Sequence, residues 1–453
     1  MPPPRRAGTP RRAGDARTIA HEILLRVEQT DAFADVLLAA RLADAALAPP
    51  DQALATRLVY GTLAWQLRLD THLAALADRA LPRLDPPVRA ALRLGLYQIL
   101  FLDRVPAYAA VDASVRLAGG RASGFVNAVL RRAARLGRQG LALPDAAADP
   151  VARLAVEWSH PRWLVERWVA ELGEAEARAL LAADTEVAPT VVRANRLRTT
   201  REALAAELAA AGVETAPARW AADALAVRGG AARLHASAAW REGRLAFQSE
   251  ASQLACALLA PAPGATLLDA CAAPGGKSAL LAAWTGDAGR VVALDPHVAG
   301  ARRIAAEAAR LGAAAVRVVA GDARRPPLAG HVDAVLVDAP CTGLGTLRRH
   351  PELRWRRRPD DVSRLAQLQR DILSGVAPLV RAGGVLVYAV CTISREESEA
   401  VVEALLAAEP RFSLEDASGF VPRELVDAAG FLRTLPHRHG LDGFFAARLR
   451  AQG

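Results

Sequence analysis

The chain has 453 residues, of which 52% are hydrophobic and 5% aromatic, and its formal net charge at pH 7 is +9. This length is sufficient for two or three domains, and the arginine excess favours a polyanionic partner such as nucleic acid. The four cysteines form no CxxC pair and lack the spacing of secreted proteins, so neither disulfides nor a zinc site is expected. Apolar stretches such as residues 36–48 are interrupted by charges, which argues against a membrane span and predicts a cytoplasmic protein.

The N-terminal part of the chain is predicted to be a basic tail followed by a helical bundle. Residues 1–15 are rich in proline and arginine and have no apolar segment, which predicts a disordered tail rather than a signal peptide. From residue 16 to residue 140 apolar residues recur with a helical period, and prolines at 49–50, 86–87 and 106 separate the blocks. Near the end of this region Arg131, Arg132 and Arg135 share one helix. They either face phosphates or form an ordinary solvated surface, and the sequence leaves both possibilities open.

Residues 141–245 are predicted to form a linker and a small α/β module. A Gly-, Ala- and Pro-bearing stretch is followed by a helical run at 201–211 and by short β-like pieces at 225–227 and 245–248. The stretch APTVVRANRLRTT at 188–200 precedes them and reads as a basic strand, on which Arg193, Asn195 and Arg196 are candidates for RNA contact.

Residues 246–453 are predicted to form a domain with a parallel sheet. Short Val-rich segments such as GRVVALD, VRVVAGD, VDAVLVDAP and GGVLVYAVCT alternate with helical spacers. Near-continuous apolar strands indicate a sheet that helices cover on both faces. Ligands of such sheets bind beyond the carboxyl ends of the strands.

The first strand of this sheet leads into a loop of small residues. In TLLDACAAPGGKSALLA, residues 266–282, a short strand is followed by a tight turn and a helix. Pro274, Gly275 and Gly276 let the backbone approach a ligand closely, although an ordinary turn would use the same residues. The loop is neither GxGxxG nor GxxxxGK[ST], which disfavours dinucleotide and P-loop sites. Lys277 is the only lysine in the chain, which favours a function for a compact ammonium at this position.

Each strand of the predicted sheet ends in a polar residue. Asp269, Asp295, Asp322 and Asp338 follow successive strands, whereas an isolated aspartate at a strand end is usually a turn residue. Asp295 lies about twenty residues past the glycine pair, where a carboxylate binds a ribose diol in such folds, and Asp322 is placed to meet an adenine amino group or the ligand's edge. Since the glycine fingerprint for NAD is missing, S-adenosylmethionine is the better fit.

Two cysteines, Cys341 and Cys391, follow neighbouring strands. Methylation of carbon 5 of cytosine requires a nucleophile, because that carbon is not reactive by itself. A thiolate that adds to carbon 6 converts the ring into an enamine, and a base later removes the carbon 5 proton as the thiol leaves. The spacing does not decide which cysteine attacks. Cys256 and Cys271 are interpreted as small buried side chains.

Several motifs resemble those of the RNA 5-methylcytosine methyltransferases, in particular the branch that acts on 16S ribosomal RNA. The matches are DACAAPGGK at 269–277, DAPCTGLGTLRRHPE at 338–352, VLVYAVCTISREESE at 385–399 and HGLDGFFAARL at 439–449. The resemblance implies that Cys391 forms the bond to carbon 6, that Cys341 assists product release, and that Asp338 lies between cofactor and base. DNA cytosine methyltransferases would use Cys341 instead. The implied S-adenosylmethionine-binding residues are Cys271, Ala272, Ala273, Pro274, Gly275, Gly276, Lys277, Asp295, Asp322 and Asp338.

The resemblance extends to the rest of the chain. Residues 58–70, 105–118 and 124–135 are similar to NusB-type RNA-binding bundles, and residues 141–245 to the RRM-like module of this family. The implied fold is an all-α bundle, a small α/β module and a Rossmann-like methyltransferase domain with a mostly parallel seven-stranded sheet, the last strand antiparallel. The implied partner is 16S rRNA, free or in early assembly, bound by a monomer without an obligate protein partner. Alternatives are a noncatalytic RNA-binding or antitermination-type factor, an enzyme acting on another RNA, and a nicotinamide-dependent dehydrogenase.

Six arginines at positions 348–358 follow the first cysteine motif and surround Trp355. This cluster is predicted to be the main nucleic-acid surface, with Trp355 stacking on a base.

Overall fold

The computed structural model describes residues 15–45, 47–77, 79–138 and 140–452, so the predicted tail lies outside them except for Asp15. The chain forms two compact units. The first extends to Leu181 and includes His350–Trp355; the second comprises Ala182–Arg349 and Arg356–Gly453. Among the described residues, no helix is long and apolar enough to span a membrane.

The first unit is helical, as the apolar periodicity predicts. Helix α5 lies at its centre and packs against α1, α3, α4, α6 and α7. Leu92, Leu94 and Leu96 of α5 are fully buried, and truncating one such leucine typically costs about 2–5 kcal/mol. The helices of this unit are α1 Ala16–Gln29, α2 Ala34–Asp44, α3 Pro49–Ala64, α4 Gln66–Leu76, α5 Pro86–Phe101, α6 Ala107–Ala118, α7 Ser123–Leu136, α8 Pro150–Glu157, α9 Arg162–Leu172 and α10 Glu174–Ala183.

Side chains of the segment His350–Trp355 form hydrogen bonds with backbone groups at helix ends of the first unit. The Glu352 carboxylate accepts the Ala34 backbone N–H at 2.9 Å, at the start of α2. At the end of α3, the Arg354 guanidinium donates to the Ala64 carbonyl at 3.2 Å and the Trp355 indole to the Leu63 carbonyl at 3.0 Å. Helix ends carry backbone groups without intrahelical partners, so these distant residues act as caps.

The second unit begins with the small α/β module. Its elements are β1 Val191–Ala194, α11 Arg201–Ala210, β2 Glu214–Pro217, β3 Ala224–Gly229, α12 Ala238–Arg241 and β4 Leu245–Phe247. The antiparallel sheet has the order β2-β3-β1-β4, and α11 and α12 accompany it. The strands near 225–227 and 245–248 are therefore confirmed.

The predicted mostly parallel sheet is confirmed in the rest of the second unit. Its continuous path has seven strands in the order β10-β12-β9-β8-β5-β6-β7, and the short β11 pairs with β12 as an eighth. Strands β5 to β9 are parallel, whereas β12 is antiparallel to β9, as predicted for the last strand. The strands are β5 Thr266–Asp269, β6 Arg290–Asp295, β7 Val316–Ala320, β8 Val332–Asp338, β9 Val380–Val390, β10 Phe412–Glu415, β11 Leu432–Thr434 and β12 Phe444–Ala451.

Helices cover both faces of this sheet and complete two apolar cores. From β5 the chain adds β6 and β7 on one side and β8 and β9 on the other, so the strand order reverses beside β5, where ligands of doubly wound sheets bind. The remaining helices are α13 Glu250–Ala257, α14 Gly276–Trp284, α15 Val298–Leu311, α16 Leu353–Arg356, α17 Pro359–Val376, α18 Glu399–Ala408 and α19 Pro436–His439.

Candidate active site

The loop between β5 and α14 has a backbone that excludes a side chain. Gly275 has φ of +112°, a conformation that L residues rarely adopt, and an added Cβ would lie 3.0 Å from the Ile304 Cα. Helix α14 begins at the next residue, Gly276, so its first N–H groups face the loop. The loop therefore forms a cradle of backbone and small side chains.

Asp269 ends β5 and is fully buried. The Ser278 hydroxyl donates to its Oδ2 at 2.6 Å, while Oδ1 has no hydrogen-bond partner among the described residues. Burial raises the pKa of Asp269 to about 6. A buried carboxylate oxygen that faces a cavity without a partner is suited to a ligand donor.

A cavity of about 490 Å³ opens above this strand end. Its wall brings together most of the predicted site residues, and the small module contributes Thr190, Val191, Phe247 and Gln248, which the sequence analysis did not assign to the site. The predicted residues on the wall are Cys271, Ala272, Ala273, Pro274, Gly276, Lys277, Asp338 and Cys391.

Four predicted residues lie off the cavity wall. Gly275 shapes the loop from behind, and Cys341 lies behind Cys391. Asp295 ends β6, is nearly buried, and accepts the His297 N–H at 2.9 Å. Asp322 lies two residues beyond β7 and pairs with Arg324 at 2.6 Å, which lowers the pKa of Asp322.

Lys277 forms an ion pair with Asp338 inside the cavity. The Nζ–Oδ2 distance is 2.5 Å, and only about a fifth and a quarter of the two side chains are exposed (19% and 25%). Burial opposes the charge on Lys277, but the Asp338 carboxylate raises the pKa of this lysine above its ordinary value. The only lysine side chain of the sequence is thus held at the end of β8.

The two thiols predicted to act together are in contact. Strands β8 and β9 are parallel neighbours with Asp338 opposite Ala389, so the residues that follow them emerge at the same edge. The Cys341 and Cys391 sulfurs are 3.3 Å apart. The adjacent Cys391 thiol, together with burial, raises the pKa of Cys341. Cys256, by contrast, is fully buried and off the cavity wall, and burial raises its pKa to about 12.

A carboxylate that was not predicted from the sequence is buried behind the thiols. Glu397 binds the residues that directly follow both cysteines, Thr342 and Thr392. The only local signal was the run of polar residues in SREESE, which a solvated turn would also show.

The arginine cluster at 348–358 is not the open nucleic-acid surface that the sequence predicted. Arg348 is buried and pairs with Asp442 at 3.0 Å, and Arg349 pairs with the same carboxylate at 2.7 Å. Arg357 donates to the Thr342 carbonyl at 2.7 Å, and Arg354 and Trp355 cap α3. The guanidinium groups of the arginines at 348, 349, 354 and 357 thus form ion pairs or hydrogen bonds with other parts of the protein. The prediction of a single nucleic-acid patch with a stacking tryptophan is wrong.

Two of the three RNA contacts predicted on and just after β1, Arg193 and Asn195, are corrected, whereas Arg196 is exposed and stays a prediction. Arg193 and Asn195 are buried; Arg193 donates to the Gln248 amide oxygen at 2.6 Å and Asn195 to the Gly243 carbonyl at 2.8 Å. Phe247 of β4 is also exposed; it stacks on His235 with ring centroids 4.5 Å apart and lines the cavity.

Three family models match consecutive parts of the chain. They are the NusB family over residues 14–135, the Methyltr_RsmF/B-like, ferredoxin-like domain over residues 160–232, and the 16S rRNA methyltransferase RsmB/F model over residues 256–450.

Curated proteins match over nearly the whole length. A probable ribosomal RNA small subunit methyltransferase B from Bacillus subtilis is 37% identical over 452 residues, covering 96% of this chain and 99% of that protein. Its counterpart from Synechocystis is 35% identical over 446 residues, with the same coverage. Ribosomal RNA small subunit methyltransferase B from Pseudomonas putida is 36% identical over 413 residues, covering 88% of this chain and 90% of that protein.

Solved structures have the same fold. The crystal structure of PH0851 matches with a TM-score of 0.80 and 28% identity, covering 96% of this chain and 98% of that chain. NSun6 from Pyrococcus horikoshii with SFG matches with a TM-score of 0.59 and 24% identity, over 65% of this chain and 98% of that chain. Because this identity is low, the match is evidence for the fold only.

Proposed function

Because the chain belongs to the 16S rRNA methyltransferase RsmB/F family of S-adenosylmethionine-dependent RNA methyltransferases, we propose that it methylates carbon 5 of a cytidine in 16S rRNA. The observation that carries this proposal is the contact of two thiols, 3.3 Å apart, at a cavity that also holds Asp338. The chemistry at carbon 5 needs a thiol nucleophile and a second group that assists its departure. A noncatalytic RNA-binding factor would have no use for this pair.

The residues around β5 suit S-adenosylmethionine. When bound, this cofactor supplies a methyl group on a positively charged sulfur. The small-residue loop from Cys271 to Lys277 leaves room for close backbone approach, and the unpartnered Oδ1 of Asp269 offers negative charge. We propose that Asp295 holds the ribose and that Asp322 meets the adenine edge.

In the proposed reaction Cys391 is the nucleophile because its side chain lies on the cavity wall. Its thiolate bonds to carbon 6 of cytosine, the carbon 5–carbon 6 double bond opens, and its electron pair forms the bond from carbon 5 to the incoming methyl group. The carboxylate of Asp338 is placed to bind the amino group or the protonated nitrogen 3 of the base, and Lys277 holds that carboxylate at 2.5 Å.

Product release in this scheme requires Cys391 to leave. A base removes the proton on carbon 5, the carbon 5–carbon 6 double bond re-forms, and the bond to Cys391 breaks. Since the pKa of Cys341 is raised, this residue keeps its proton and can donate a hydrogen bond to the departing sulfur 3.3 Å away. Cys341 is therefore proposed to assist release.

The substrate and the domain boundaries are further parts of the proposal. The names of the curated relatives support small-subunit rRNA as the substrate. We propose that residues 16–140 bind this RNA, that 141–245 form the linker and small module, and that 246–453 carry out catalysis in a monomer.

The direct test is methylation of transcribed 16S rRNA by the purified protein with S-adenosylmethionine, followed by bisulfite sequencing. We expect one cytidine to become resistant to deamination, with 23S rRNA as the control RNA. Methyl transfer to a position other than carbon 5, or to 23S rRNA instead, would contradict the proposal.

A further inference from the structure

Glu397 occupies a fully buried position directly behind the two thiols. Its Oε1 accepts the Thr342 backbone N–H at 2.8 Å and the Gln369 side-chain amide at 3.1 Å. Its Oε2 accepts the Thr342 hydroxyl at 2.5 Å and is 3.3 Å from the Thr392 hydroxyl. The two hydroxyls are themselves 3.0 Å apart. One carboxylate thus joins two loops that are about fifty residues apart in sequence.

The bound residues are the immediate neighbours of the thiols in sequence. Thr342 follows Cys341 and Thr392 follows Cys391. A shift of either threonine would move the adjacent cysteine, so the carboxylate fixes the distance between the sulfurs. The Tyr388 hydroxyl in turn donates to the Glu397 backbone carbonyl at 2.5 Å, which anchors this residue to β9.

If the side chain at position 397 served only to fill space, a charged glutamate would be unfavourable there. Burial raises the pKa of Glu397, which shows that the protein interior opposes its charge. Even a buried ion pair can often be replaced by apolar residues of similar volume without loss of stability. The hydrogen bonds to both loops therefore point to a role in geometry.

We propose that Glu397 is a positioning residue that holds the thiols of Cys341 and Cys391 at the separation needed for attack and release. The proposal rests on the proposed function for its consequence in catalysis. It assigns Glu397 no contact with the RNA, since the carboxylate acts only through the two threonines.

The test of geometry uses phenylarsine oxide, a trivalent arsenical that bridges two neighbouring thiols. Its arsenic forms two As–S bonds, both thiol protons leave with the oxide oxygen as water, and neither RNA nor cofactor is required. We expect native protein to bind the reagent and lose two reactive thiols. Glu397→Ala should bind about tenfold or more weakly, because closure of the second bond depends on the sulfur separation.

Two variants separate positioning from general instability. Glu397→Gln keeps an acceptor for the Thr342 N–H, and its NH₂ can donate to hydroxyls that can reverse direction, so arsenical affinity should return to within about threefold of native. Glu396→Ala removes the exposed glutamate next to it and should bind like native. Equal affinity in native, Glu397→Ala and Glu397→Gln would overturn the proposal, as would failure of native protein to bind.

The kinetic test follows on the same variants. Glu397→Ala should lower kcat for methylation by about 100-fold while KM for RNA and for cofactor stays within about threefold, because a misplaced thiol affects the chemical step. Glu397→Gln should restore most of kcat. If the arsenical result holds but native protein methylates no cytosine, the proposed function fails and the role of Glu397 in thiol geometry remains. An unchanged kcat in Glu397→Ala would refute the catalytic consequence.

Discussion

The ion pair between Lys277 and Asp338 predicts a measurable energetic coupling inside the cavity. Removing one partner of a buried pair costs about 3–5 kcal/mol, whereas exposed pairs contribute about 1 kcal/mol or less. With side chains 19% and 25% exposed and 2.5 Å between Nζ and Oδ2, an intermediate coupling of about 2 kcal/mol is expected. Lys277→Met leaves an unpaired carboxylate, and Asp338→Asn leaves an unpaired ammonium. The double variant leaves neither.

The assay is a double-mutant cycle on the free energy of unfolding in urea, without cofactor or RNA. Each single variant should be destabilised, and the double variant should lose about 2 kcal/mol less than the sum of the two. Since Lys277 is the only lysine, its ¹³C-lysine NMR signal reports the same pair. Its pKa should fall in Asp338→Asn. Additive losses with an unchanged lysine pKa would refute the ion pair.

Three further predictions concern the carboxylates and the helical unit. The pKa of Asp269 is raised to about 6, so the stability that this residue contributes is present below about pH 4 and is lost as the pH rises through 6. In urea unfolding, Asp269→Asn should therefore be about 1–3 kcal/mol more stable than native protein at pH 7.5, and the two should be nearly equal at pH 4.5. Asp295→Ala should weaken S-adenosylhomocysteine binding about tenfold or more in calorimetry, and unchanged affinity would place the ribose elsewhere. Arg131 and Arg135 line a surface groove with the exposed Tyr108, so replacing both arginines by alanine should weaken RNA binding and reduce its salt slope by about 1–2. An unchanged slope would remove this groove from the RNA surface.

The catalytic sheet was predictable because its signals are local. Apolar strands, helical spacers and the small-residue loop each follow from short-range periodicity and backbone conformation, as at Gly275. Cys341 and Cys391 are 50 residues apart, but each follows a strand that is recognisable locally, and parallel neighbouring strands end at one edge.

The roles of the arginines were not predictable, because they depend on partners far away in sequence. Arg348 is buried against Asp442, 94 residues later, and Arg354 binds the Ala64 carbonyl, 290 residues earlier. A cluster of basic residues looks the same in sequence whether it faces phosphate or caps a helix. The role of Glu397 was not predicted for the same reason, because its carboxylate accepts a hydrogen bond from Thr342, 55 residues away.

The most direct measurement of the central claim is the fate of RNA on the two cysteine variants. Cys341→Ala and Cys391→Ala are incubated with 16S rRNA and S-adenosylmethionine, separated by denaturing electrophoresis with and without ribonuclease, and mapped by mass spectrometry. We predict that Cys341→Ala stalls with RNA covalently attached to Cys391 and that Cys391→Ala forms no adduct and transfers no methyl group. An adduct in Cys391→Ala instead, or methylation without an adduct in both variants, would contradict the assignment.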